Sequence, residues 1–216
     1  MNASPSTVRL SQSGRLTVVL ALNLALIGGL VAAGIMARSV SVLAAAGDTL
    51  ADCVALALGL IAIAVRDRDP DRPHATRPIA IAALVNATVL IMVTLSVGIE
   101  AVVRLRDGSP AVLGLPMALV SLVTLGVMIA GALVLGMSAR REDIHMKSVL
   151  VDTLADAAAA AGVLVAGSII WVSRGLYWLD PVIALILAAV IGYTGIRLAS
   201  QAVAALRGRD VDFDTD

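Results

Sequence analysis

Five carboxylates stand where apolar side chains are expected. Asp48, Asp52, Glu100, Asp152 and Asp156 lie inside long hydrophobic runs of a 216-residue chain. An ionised carboxylate at the centre of a bilayer costs roughly 2.5–3.5 kcal/mol on insertion scales, so four buried Asp cost on the order of 10 kcal/mol. That is a large share of any protein's stability. Spacing narrows what can offset it. Asp48 and Asp52 are four residues apart, and so are Asp152 and Asp156. On a helix each pair shares a face, with about 6 Å between its members. Like charges so placed repel unless protons or a cation intervene. Basic partners are scarce: Arg197 alone lies well inside a run, and Lys147 sits at the edge of one. A divalent cation held between two such faces satisfies all four carboxylates with oxygen ligands.

The two pairs share more than spacing. Residues 48–52 and 152–156 are the same pentapeptide, Asp-Thr-Leu-Ala-Asp, and Ala- and Gly-rich stretches follow both. This reads as a weak internal repeat, the first three apolar runs against the last three, of the kind transporters carry. Small residues let two helices approach closely enough for the acidic faces to meet.

The elements that must position these residues follow from composition. The chain is 59% hydrophobic and 15% charged, with a mean hydropathy of +0.96. An ordinary soluble domain is about a quarter charged. A soluble domain, a disordered segment and a disulfide-stapled module are therefore excluded. A single cysteine, Cys53, provides neither an intrachain disulfide nor a thiolate metal cluster. Net charge is zero, with arginines in loops and tails, so nothing points to nucleic acid. Six continuous apolar runs, approximately 16–37, 40–65, 78–103, 113–137, 146–172 and 181–206, are each long enough to cross a bilayer as a helix. The first is too long for a signal peptide, at about 22 residues, and is read as retained. The expected fold is an all-α integral membrane protein, a six-transmembrane-helix bundle. A 1–15 tail precedes the helical domain of 16–206, and a short acidic tail, 207–216, follows it.

Loop charges set the expected orientation. Eleven basic residues fall on the side of the two tails and the even-numbered loops, against four (Arg38, Arg104, Arg106, Arg174) on the other. By the positive-inside rule both termini are cytoplasmic. Trp171, Tyr177 and Trp178 then gather at the outer interface, where amphipathic rings are favoured. Asp180-Pro181 reads as the capped start of the sixth helix, Asp bonding that helix's own free N–H groups. Glu100 and Arg104, four apart, read as an ion pair at the outer end. Depth raises a question. Counted from the outer ends, Asp48 and Asp52 lie about 12–18 Å in, whereas Asp152 and Asp156 lie about 24–30 Å in, at about 1.5 Å per residue.

The run from Gly34 through Ser39 to Asp48 and Asp52 resembles the second-helix signature of the cation diffusion facilitators, in which a Gly and a Ser precede an [H/D]-x-x-x-D metal pair. Asp152 and Asp156, followed by Gly162, resemble the fifth-helix signature. Asn86, Glu100 with Arg104, and Leu179-Asp180-Pro181 match further landmarks, so the resemblance spans nearly the whole chain. It implies metal/proton antiport by a homodimer, with one tetrahedral intramembrane site per protomer formed by Asp48, Asp52, Asp152 and Asp156. It also implies a multi-pass protein of the inner (cytoplasmic) membrane, a transporter rather than an enzyme, with no prosthetic group. Two departures stand out: Asp152 replaces the usual His, and about ten residues follow the last run, too few for the family's carboxy-terminal metal-binding domain. Four carboxylates around one divalent ion leave a net charge of −2, so protons and metal compete for the same oxygens. Zn2+ is the expected cargo with Cd2+ beside it, and Mn2+, Co2+ and Fe2+ stay open, because an all-carboxylate site lacks the softer ligands that select zinc.

Asp69, Asp71 and His74, in the second loop, form a secondary candidate cluster that could feed metal to the site; a solvated loop of mixed charge is the plainer reading. Cys53 reads as core packing, and Asn23 and Asn86 as polar groups between helices. Rival functions lack their marks. A membrane phosphotransferase of CDP-alcohols needs an Asp-x-x-Asp-Gly run that is absent. An assembly subunit would not depend on Asp48, and a cation-coupled exporter of small solutes would not depend on a transition metal.

Overall fold

Each apolar run becomes one helix. The computed structural model describes residues 12–68, 76–139 and 144–207, with side chains described over 23–54, 57, 80–130, 133 and 153–207. The helices are α1 (Gln12–Ala37), α2 (Val40–Arg68), α3 (Thr76–Asp107), α4 (Gly114–Ala139), α5 (Ile144–Ser173) and α6 (Leu179–Leu206). No strand occurs among the described residues. Within them, Ala80–Asp107, Thr153–Ser173 and Leu179–Leu206 are each long and apolar enough to cross a membrane.

The bundle wears its apolar residues on both faces. Leu30, Val42, Met117, Val163, Ile170 and Leu187 are buried between helices. Met92, Val172 and Tyr193, by contrast, point outward at 65%, 78% and 70% exposure. A water-soluble protein rarely exposes a continuous surface of this kind, whereas hydrocarbon chains solvate it at no cost.

α1 lies along α2, α4 along α5, and α3 along α6, while α2 also packs against α3 and α6. The α4–α5 contact is the most extensive, and glycine makes it possible. A Cβ on Gly114 would lie 2.6 Å from the carbonyl oxygen of Gly167, and a Cβ on Gly167 would lie 2.9 Å from the backbone nitrogen of Ala118. Two backbones can approach this closely only where no side chain intervenes.

At the end of the bundle where α1 meets α2 the chain turns sharply. Arg38, with φ +55°, joins α1 to α2 almost without a loop. The N–H of Leu113, just before α4, donates to the carbonyl of Ala37 over 3.0 Å. Glu100 and Arg104 pair as their spacing implies, Nε to Oε1 at 2.8 Å. Arg104 reaches further, and its Nη1 donates to the carbonyl of Arg38 over 2.6 Å.

The expected cap on α6 needs correction. Trp178 occupies that position with no side-chain cap, and Asp180 lies within the first turn, fully buried. Its carboxylate serves a different helix. Val40 N–H donates to Oδ2 over 2.8 Å, and both the Ser41 N–H (3.2 Å) and the Ser39 and Ser41 hydroxyls (2.6 Å each) donate to Oδ1. Asp180 therefore caps α2, whose free N–H groups and positive dipole end attract a carboxylate as strongly as those of its own helix.

Candidate metal centre

The repeated pentapeptide falls in mid-helix on α2 and on α5, where four-residue spacing stacks two side chains on one face. Asp48 and Asp52 from α2 and Asp156 from α5 line one cavity, completed by Thr49, by Thr124 and Met128 of α4, and by Ala159, Ala160, Leu187 and Ile191. Its water-accessible volume is about 20 Å³, room for little more than one water or ion. The three carboxylates are half-buried, so they face the chamber rather than lipid. Asp48 and Asp156 border it from opposite helices, so two negative charges there repel across it. Asp152 sits on α5 one turn nearer that helix's amino end, but its side chain lies outside the described residues. Among the described side chains, no three Asp, Glu, His or Cys close on one point tightly enough to hold an ion.

The depth question resolves through helix overlap. Counting from helix ends treats the end of α5 as level with the start of α2. The bond from Leu113 to Ala37, with Gly114 seated against Gly167 and Trp171, instead sets the start of α2 beside the last two turns of α5. Measured from Gly167, Asp156 is about 16 Å deep; measured from Val40, Asp52 is about 18 Å deep. α5 extends beyond α2 by roughly one turn or more, and the two aspartates fall level.

Sequence reasoning missed the contribution of α4. Thr124 is buried and lines the chamber. Its hydroxyl donates to the carbonyl of Val120 over 3.0 Å, and that of Thr49 to the carbonyl of Ala45 over 2.9 Å. With their protons engaged on their own helices, both oxygens can offer only lone pairs to what enters. The signal was faint: a Thr in an apolar helix usually bonds its own backbone and has no other task.

Other expectations separate cleanly. Cys53 is buried as core, and Asn86 is buried on α3. Trp171, near the carboxyl end of α5, and Trp178, just before α6, are about half exposed. Asp69, Asp71 and His74 lie outside the described residues.

A helical bundle with an apolar exterior and an acidic chamber in its interior is the build of a multi-pass membrane protein. Residues 16–207 match the cation efflux transmembrane domain, and the chain belongs to that family, the cation diffusion facilitators. It is 29% identical over 163 residues to a zinc transporter ZitB of Pectobacterium atrosepticum, covering 73% of this chain and 50% of the relative. It is 30% identical over 203 residues to the metal cation efflux system protein CzcD of Cupriavidus metallidurans, covering 92% and 63%. To a cadmium, cobalt and zinc/H(+)-K(+) antiporter of Bacillus velezensis it is 25% identical over 178 residues, covering 80% and 56%. The chain thus spans between half and 63% of the length of these relatives.

Proposed function

We propose that this protein exports a divalent transition-metal cation, zinc before others, across the cytoplasmic membrane in exchange for protons. The observation that carries the reading is the convergence of Asp48 and Asp52 with Asp156 in one chamber inside an apolar bundle. The relatives' names support zinc as cargo, with cadmium beside it, and one of those names includes proton exchange. Manganese, cobalt and iron(II) are alternative cargoes for an all-oxygen site.

Asp48, Asp52, Asp152 and Asp156 are the proposed ligands. When the ion sits between α2 and α5, its charge offsets the repulsion that the carboxylates otherwise exert on one another. When it leaves, protons take its place, because ionised carboxylates facing each other in a low-dielectric chamber are costly. The ligand oxygens thus bind either metal or protons, and this competition couples the two fluxes. Thr124 and Thr49 add neutral oxygens that accept from a protonated carboxyl or face the ion. Exchange requires the chamber to open to one side at a time, by motion of one set of helices against another around the site. The proposed orientation puts both termini, 1–15 and 207–216, in the cytoplasm, and the proposed working unit is a homodimer.

The test is zinc uptake by proteoliposomes under an imposed pH gradient, comparing the native chain with Asp52→Ala and Asp156→Ala. The proposal expects uptake that depends on the gradient and falls to background in both variants. Equal flux in all three proteins contradicts it.

A further inference from the structure

Asp180 is the most heavily engaged charged side chain outside the chamber among the described residues. It is fully buried, and its carboxylate accepts from Val40 N–H, Ser41 N–H and the hydroxyls of Ser39 and Ser41. Ser39 in turn accepts from Val42 N–H over 3.2 Å, so the whole first turn of α2 is bound into this cluster. The Arg104 guanidinium, 3.9 Å from Asp180 Oδ2, brings in α3. One carboxylate on α6 therefore ties down the start of α2 with support from α3.

The tie matters because of what α2 carries. Asp48 and Asp52 lie seven and eleven residues beyond Ser41 on a continuous helix, about 10 and 16 Å along it. A rigid helix transmits displacement and rotation at its end to every side chain it bears. One residue's rotation, about 100°, would turn both aspartates off the cavity. α5, which bears Asp156, packs chiefly against α4 and meets α2 sparingly.

We propose that Asp180 is a positioning residue for the transport site, setting the height and rotation of α2 so that Asp48 and Asp52 meet Asp156. This rests on the metal-site reading above. α2, α3 and α6 are held as one block at this end, and α4 and α5 pack chiefly against each other. The charge and shape of a carboxylate are both required. An amide at this position retains one accepting oxygen and sets an N–H₂ group against the helix N–H and the serine hydroxyls, donor against donor.

The experiment measures zinc uptake by proteoliposomes as a function of zinc concentration, for the native chain, Asp180→Asn, Ser41→Ala and Asp52→Ala. Loss of folded protein alone lowers the maximal rate and leaves KM in place; displaced ligands raise KM. The expected result is a KM raised at least tenfold in Asp180→Asn and about threefold in Ser41→Ala, with uptake abolished in Asp52→Ala. If Asp180→Asn does not fold, Ser41→Ala, which loses a single hydroxyl, decides by the same criterion. A native KM in Ser41→Ala and in any folded Asp180→Asn, with Asp52→Ala inactive, overturns the positioning role and leaves the site intact. Native uptake in Asp52→Ala overturns the site itself.

Discussion

The same five residues occur on α2 and on α5, in two different settings. On α2, Thr49 and Cys53 are buried and Leu50 is 38% exposed; on α5, Thr153 is half-buried and Leu154 is 53% exposed. α2 runs through the bundle between α1, α3 and α6 and is capped by a foreign carboxylate. α5 leans on α4 along a glycine seam and presents more of itself to the outside. Identical pentapeptides thus sit on one helix capped by a foreign carboxylate and on another that leans chiefly on α4. A transporter needs both: ligands stable enough to define a site, and a seam through that site along which it can open. The repeat supplies the chemistry twice, and tertiary packing makes the two copies unequal.

The strongest way to break the comparison is to remove a ligand from either copy. Asp52→Ala and Asp156→Ala should each reduce zinc uptake to background, while gel filtration and thermal unfolding remain close to native. Unequal losses would show that one helix holds the ion alone. The seam on α5 comes next. Gly114→Ala places a methyl against the backbone of Gly167 and Trp171, and such overpacking costs about 1–3 kcal/mol. A lower midpoint in thermal unfolding checks this. Gly162→Ala, with nothing within 4 Å of the added carbon, should leave the midpoint unchanged or slightly raised, since Ala outranks Gly in a helix by about 1 kcal/mol.

A subtler effect is expected from α4. Thr124→Val keeps volume and removes the hydroxyl oxygen from the chamber, so KM for zinc should rise about twofold to fivefold at a similar maximal rate, read in the same uptake assay. The smallest change belongs to the outer rim. The Glu100 side chain is 53% exposed, and an exposed pair is worth about 0–1 kcal/mol. Glu100→Gln should therefore alter unfolding by less than about 1 kcal/mol and transport not at all.

Much of this was legible in the residues. Continuous apolar runs can satisfy their backbones in lipid only as helices, so six runs gave six helices, with ends within a few residues of those observed. The paired aspartates pointed to the chamber, which Asp48, Asp52 and Asp156 line, because buried carboxylates are costly in an apolar bundle. Asp180 was legible as a cap but not as the cap of α2, because its partners lie some 140 residues away in sequence. The overlap of α5 beyond α2 was hidden for a similar reason: helix register depends on where Gly114 and Gly167 let backbones touch, and hydropathy does not record it. Thr124 was invisible because a threonine bonded to its own helix looks the same whether or not it borders a chamber.

The central claim is that the acidic residues of α2 and α5 hold one ion between them. Zinc binding to the purified protein, measured by equilibrium dialysis for the native chain, Asp52→Ala and Asp156→Ala, tests it most directly. The account predicts about one zinc bound within the bundle per chain in the native protein, lost when either helix gives up its aspartate. Full binding that survives either substitution would mean the two helices do not share an ion.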